Sequence, residues 1–226
     1  KKRLIQLGES PKAVFLVGSP GVENFRKIEK INKKKLFKDF FLKKNKKTIL
    51  LTFHPETNSI IEYNKQIDIV LRSIKNLKKE NFIFTFNNSD PHGYYFLKKI
   101  NHFIKKRKNI KIFSSLGSKK YLNLLKEVDL VMGNSSSGMI EAPVAQVPTL
   151  NIGSRQNGRV TYKTIFNCRL KAKEIQDSIL KILYKKKKIK KNTISNYQTS
   201  KLIYLKIKEI LNKKYIENKL FYDVKF

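Results

Sequence analysis

Along the chain, β-branched apolar runs alternate with stretches whose apolar residues recur at helical spacing. TILLTF (Thr48 to Phe53), NFIFTF (Asn81 to Phe86), NIKIFSS (Asn109 to Ser115), DLVMGNS (Asp129 to Ser135) and PTLNIG (Pro148 to Gly153) predict five strands. Between the first two, Ile60 to Leu77 predicts a helix with Ile67, Val70, Leu71, Ile74 and Leu77 on its apolar face. Tyr94 to Lys106, Lys119 to Glu127 and Met139 to Ala145 predict the next helices, and Lys171 to Tyr184 and Tyr197 to Leu211 close the chain with two more. Strand and helix in regular alternation predict an α/β domain, a doubly wound parallel sheet, over about Lys47 to Lys191. The opening residues, 1–46, read as the trailing edge of a preceding domain and a connection. There AVFLVG (Ala13 to Gly18) predicts a strand ending in the turn Gly18-Ser19-Pro20-Gly21, and KLFKDFFLKK (Lys35 to Lys44) a short helix before a basic linker. Residues 192–226 predict a C-terminal helix and tail that pack back toward the preceding domain.

Charge changes this picture less than its size suggests. The 226 residues carry a net charge of +33, which first suggests a polyanion partner. Yet only seven of the 50 basic residues are arginine, the residue suited to bidentate phosphate and base contacts. The lysines are spread along the chain, as an A+T-rich genome would spread them. The densest run, KKKKIKK at Lys185 to Lys191, reads as a solvated linker. Neither nucleic acid nor membrane is therefore the expected partner. The single cysteine, Cys168, excludes an internal disulfide framework. No apolar run approaches the roughly 18 residues needed to cross a bilayer, and KKRLIQLGES is no signal peptide, so a cytoplasmic protein is expected. A first residue that is Lys suggests a chain beginning inside a longer sequence.

The chemistry concentrates in GNSSSGMIEAP, Gly133 to Pro143, at the C-terminal end of a predicted strand and the entry to a helix. Open α/β sheets bind ligands there. Small residues let backbone N–H groups approach an anion, and the helix dipole favours negative charge. Asn134, Ser135, Ser136, Ser137 and Gly138 suit a diphosphate cradle, and Glu141, expected on the first helical turn, suits a ribose diol. An ordinary N-cap by Ser135 or Ser136 fits the same residues equally well. Downstream, Arg155 and Arg159 lie in one loop bracketed by Gly153 and Gly158, where a second phosphate clamp would sit.

VMGNSSSGMIEAP followed by PTLNIGSRQNGR closely resembles the UDP-N-acetylglucosamine 2-epimerases, in particular the hydrolysing branch that makes N-acetylmannosamine or related sugars for sialic and legionaminic acids. LLTFHPET (Leu50 to Thr57), FTFNNSDPHG (Phe84 to Gly93) and SLGSKKYLNLL (Ser115 to Leu125) match further blocks in order, and LGESPKAVFLVGSPGVEN (Leu7 to Asn24) the mid-chain crossover. The resemblance implies a GT-B-type fold of two Rossmann-like domains with the nucleotide sugar between them, of which this chain is the second half. It implies that Ser135, Ser136, Ser137 and Gly138 hold the diphosphate, Glu141 the ribose and Arg155 a phosphate, while Leu116 and Tyr121 border the uracil. His54 matches the family's functional histidine, able to neutralise charge or supply a proton as the glycosidic bond breaks. Asn88, Asp90 and Arg159 are further candidates for substrate contact; Asp90 and Glu56 stand in no matching catalytic block. His92 borders the same cleft in this reading, and His102 is a helix residue. The implied reaction eliminates UDP to a 2-acetamidoglucal and adds water with inversion at carbon 2. Its carboxylate base belongs to the first domain. No cofactor and no metal are implied, the partner is a UDP-sugar, and the full-length protein is expected to be a homo-oligomer. A glycosyltransferase of the same fold and a non-catalytic nucleotide-sugar sensor are the competing readings.

Overall fold

The computed structural model describes residues 1–85, 93–105, 107–185, 192, 194, 197–213 and 220–224. They form two compact units, residues 28–193 and residues 1–27 with 194–226. In chain order the helices are α1 (Lys2–Gln6), α2 (Pro20–Lys27), α3 (Lys33–Asp39), α4 (Tyr63–Ser73), α5 (Gly93–Ile104), α6 (Gly117–Leu125), α7 (Ser137–Val144), α8 (Ala172–Tyr184) and α9 (Thr199–Leu211). The strands are β1 (Thr48–Thr52), β2 (Asn81–Thr85), β3 (Ile110–Phe113), β4 (Leu130–Gly133), β5 (Thr149–Ile152) and β6 (Ile165–Cys168).

The larger unit is the doubly wound sheet that the alternation predicts. All pairings are parallel and the strand order is β3-β2-β1-β4-β5-β6. A parallel sheet covered on both faces buries every side chain of its central strands, and the whole of β4 and β5 is buried. Period-two geometry sends Ile49 and Leu51 to one face, where Phe82, Phe84, Leu130, Met132, Leu150 and Ile152 join them. Against this face α4 packs Ile67 and Val70, its C-cap Ile74 follows, and α8 packs Ile175 and Ile179, all with no exposed surface. Each such side chain gains about 1.5–3 kcal/mol on leaving water. The pattern predicted on the Ile60 to Leu77 stretch is thus the core face of α4, although the helix itself is shorter and Ile60 is exposed.

A sixth strand, β6, which no run of the sequence marked, extends the expected sheet of five or more strands by pairing with β5 at its edge. Other expectations are corrected. AVFLVG forms no strand: residues 14–19 are irregular and pair with no ladder, because apolar β-branched composition supplies no neighbour to bond to. The turn predicted at Gly18-Ser19-Pro20-Gly21 is instead the start of α2. Pro20 takes its first position, where a missing N–H is no loss. The lysine run 186–191, Asn88, Asp90 and His92 lie outside the described residues. Among the described residues no helix is long and apolar enough to cross a membrane.

In the smaller unit, α2 and α9 are joined by one carboxylate. Glu23, buried in this unit, accepts the Ser200 N–H at 2.7 Å and its hydroxyl at 2.8 Å, and pairs with Lys27. Ser200 lies in the first turn of α9, so the carboxylate also meets the positive end of a helix dipole. The Lys27 contact first, then the two Ser200 bonds, hold Glu23 down to a pKa of about 2.

Candidate functional site

In this strand order the chain leaves β1 for one edge of the sheet and returns at β4 to build toward the other, so the β1–β4 boundary is the topological switch point. Doubly wound sheets bind ligands at this point, outside the carboxyl ends of the strands. The two backbones run very close at this point. Gly133 has φ +124°, and a Cβ on it would stand 1.9 Å from the Thr52 carbonyl oxygen. Glycine alone fits.

Immediately after Gly133, Asn134 is fully buried and ties the loop after β1 to the loop after β5. Its side-chain oxygen accepts the His54 N–H at 2.7 Å, and its amide nitrogen donates to the His54 carbonyl at 2.9 Å. Its own backbone carbonyl accepts from Arg155 Nη1 at 3.2 Å and from Gln156 Nε2 at 2.7 Å. His54, the serine turn and Arg155, predicted separately from three strand ends, are therefore joined through one residue.

The serine turn enters α7 without the cap that such residues commonly provide. Ser136 occupies the N-cap in helical geometry and its hydroxyl makes no capping bond. Only a long 3.4 Å contact links the Ser137 N–H to Ser135 Oγ. Among the described residues no acceptor takes the Ser135 or Ser136 N–H. Because α7 begins at Ser137, Glu141 falls in the second turn, not the first; the expected position is corrected by an earlier helix start. There Glu141 meets the Ser137 hydroxyl. Burial pushes its carboxyl above the usual range, and the Ser137 hydrogen bond opposes the rise. Tyr121 reaches in from α6 and donates to Ser137 Oγ at 2.7 Å. Burial, with the Glu141 charge adding, pushes the Tyr121 hydroxyl up to about 12, so it stays a protonated donor. Gly138 is buried against Thr149, with no room for a larger side chain, and Leu116 is the half-buried residue at the N-terminus of α6.

The loop after β5 is held by a residue given no role from sequence. Glu56 is buried, and its backbone is clamped by Gln66, whose Oε1 accepts the Glu56 N–H at 2.8 Å and whose Nε2 donates to its carbonyl at 2.9 Å. Its carboxylate accepts the Ser154 N–H, the Ser154 hydroxyl and the Arg155 N–H, each at 3.1 Å. Glu56, Gln66 and Gln156 are polar residues that the sequence reading left without a role. Asn134, expected in the cradle, instead has its N–H bonded to the Thr52 carbonyl at 3.1 Å and its side chain buried. Arg159 is exposed on the loop after β5, and His102 is exposed at the end of α5. A separate open groove of about 1130 Å³ runs along α4 and α5, lined by Lys65, Arg72, Tyr94 and His102 among others, and contains none of the strand-end residues.

Residues 1–208 match the protein family described as UDP-N-acetylglucosamine 2-epimerase. A Campylobacter jejuni protein named GDP/UDP-N,N'-diacetylbacillosamine 2-epimerase (hydrolyzing) is 37% identical over 171 residues, 75% of this chain and 44% of that protein. The polysialic acid biosynthesis protein P7 of Escherichia coli is 41% identical over 161 residues, 71% of this chain and 41% of its own length. The chain thus spans about half the length of the curated relatives it matches. In fold it superimposes on the Methanocaldococcus jannaschii UDP-GlcNAc 2-epimerase, solved with UDP-GlcNAc and UDP, with a TM-score of 0.69 at 20% identity, over 92% of this chain and 58% of that one. The doubly wound sheet and the family match across most of the sequence agree: the chain belongs to the UDP-N-acetylglucosamine 2-epimerase family.

Proposed function

We propose that this chain is the UDP-binding half of a hydrolysing 2-epimerase acting on UDP-N-acetylglucosamine or a related UDP-2-acetamido sugar. The observation that carries this reading is the junction at Asn134, which joins the His54 loop, the serine turn and Arg155 at the switch point. The uncapped start of α7 offers the Ser135 and Ser136 N–H groups and hydroxyls to a diphosphate, with Ser137 and Gly138 completing the turn. Arg155 supplies the fixed positive charge. Glu141 accepts from the ribose hydroxyls, and Leu116 and Tyr121 flank the base.

In the reaction, a base outside this chain takes the proton from carbon 2 while the bond between carbon 1 and the diphosphate oxygen breaks. The electron pair of the first bond forms the new double bond, and that of the second leaves with UDP. His54 then acts on the departing diphosphate, as a proton donor or as a charge partner. Water adds across the double bond to give the 2-epimeric sugar. On this reading the base comes from a preceding domain, as the family resemblance implies. Residues 1–27 and 194–226 fit that arrangement as a unit that exposes Leu7, Phe15, Leu16, Tyr204, Leu211 and Phe221. The hydrolysing assignment is supported by the name of the Campylobacter relative.

The experiment is to incubate the full-length protein with UDP-N-acetylglucosamine and no acceptor. Release of UDP with a 2-epimeric free sugar is expected. UDP release only on adding an acceptor would turn the assignment toward a glycosyltransferase.

A further inference from the structure

Glu56 is a carboxylate on the very loops that are to hold an anion, and its side chain faces into the protein. Its oxygens take the N–H groups of Ser154 and Arg155 and the Ser154 hydroxyl, with a longer 3.4 Å approach from Asn134 Nδ2. Two successive backbone N–H groups turned toward one point make the concave arrangement that binds phosphate oxygens. Here an internal anion fills it. The fit is close: Gly153 has φ +79°, and a Cβ on it would stand 2.3 Å from Glu56 Oε1. Gln66 fixes the Glu56 backbone from below, so the carboxylate is a rigid post and not a mobile surface acid.

We infer that Glu56 is the positioning residue of the UDP site: it occupies the amide nest of the loop after β5 and so aims the Arg155 side chain, not the loop's backbone, at the diphosphate. Its location in the HPET stretch, just past His54, means that one short segment sets both the histidine and the arginine. The negative charge is held on the inner side of the loop, where three donors and the buried amide of Asn134 take up its oxygens. The inference rests on the proposed UDP reading, and its test separates the two.

The test is a double-mutant cycle on UDP affinity, measured by calorimetry on the full-length protein, with thermal unfolding of each variant as a control. Glu56→Gln removes the charge and turns one acceptor into a donor facing N–H groups. It is expected to weaken UDP binding about tenfold alone and less than about threefold in the Arg155→Ala background, because aiming an absent side chain has no value. Equal loss in both backgrounds overturns the positioning role, since a general loss of structure would act regardless of Arg155. If Glu56→Gln does not fold, Ser154→Ala decides in its place. It removes one donor from an exposed loop residue and is expected to weaken UDP about threefold with Arg155 present and not at all without it; equal effects overturn the proposal. Should Arg155→Ala alone leave UDP affinity unchanged, the UDP reading itself fails, a result distinct from additivity.

Discussion

Arg155 and His54 meet at Asn134, the arginine at its backbone carbonyl and the histidine backbone at its side-chain amide, yet their substitutions should have different consequences. A charge-assisted hydrogen bond to a phosphate contributes about 1.5–3 kcal/mol, so Arg155→Ala should weaken UDP binding roughly tenfold or more. Ser136→Ala, a neutral donor, should cost less. His54→Ala should lower turnover far more than UDP affinity, because its contribution comes as the leaving group departs. Steady-state kinetics beside UDP titrations would read the contrast, and equal losses in affinity and turnover for all three would make His54 a binding residue. Glu141 adds a pH dependence. Its carboxyl is held above the ordinary range by burial, and a ribose acceptor must be ionised. UDP affinity should therefore fall on acidification at a higher pH than an ordinary glutamate would give, and Glu141→Gln should flatten that limb. The sign for folding is the reverse of the usual carboxylate: a raised folded pKa means that its contribution to stability declines as pH rises through the shifted range.

At the scale of elements, legibility followed burial. Strands β1, β2, β4 and β5 were readable because sheets covered on both faces need unbroken apolar runs. Strand β6 was missed because it is an edge strand whose middle residues, Phe166 and Asn167, are exposed, so no run marks it. AVFLVG was misread for the opposite reason, since it has the composition of a strand and no partner. The serine turn was visible as a short local motif. The network of Glu56 was not, because its bonds join residues 98 and 99 positions apart and exist only once β1 and β5 lie in one sheet. The close approach of β4 to β1 at Gly133 makes a direct prediction. Gly133→Ala must place a Cβ against the Thr52 carbonyl at a positive φ. Strain and overpacking of this kind cost about 1–3 kcal/mol each. A loss of several kcal/mol should appear as a lower urea midpoint, and an unchanged midpoint would contradict the described register of β1 on β4.

For the whole molecule, the two compact units should answer acid differently. Glu23, which pins α2 to α9, has its pKa depressed from 4.5 to about 2. Its contribution is present in full above the unfolded value and is lost as pH falls between about 4.5 and about 2. Hydrogen exchange along α9 should accelerate across that window, and Glu23→Gln should make it fast already at neutral pH; protection unaltered by the substitution would remove Glu23 from this role.

The central claim is that the β1–β4 switch point of this chain holds UDP by its diphosphate. Amide chemical-shift mapping during a UDP titration tests it most directly, because the serine turn is proposed to bind through its backbone N–H groups. The largest shifts are expected at Ser135, Ser136, Ser137 and Gly138, with smaller ones at His54, Glu141 and Arg155, and they should be reproduced only weakly by uridine without phosphates. Shifts that instead follow the basic groove of α4 and α5, equal for UDP and any polyanion, would contradict the account.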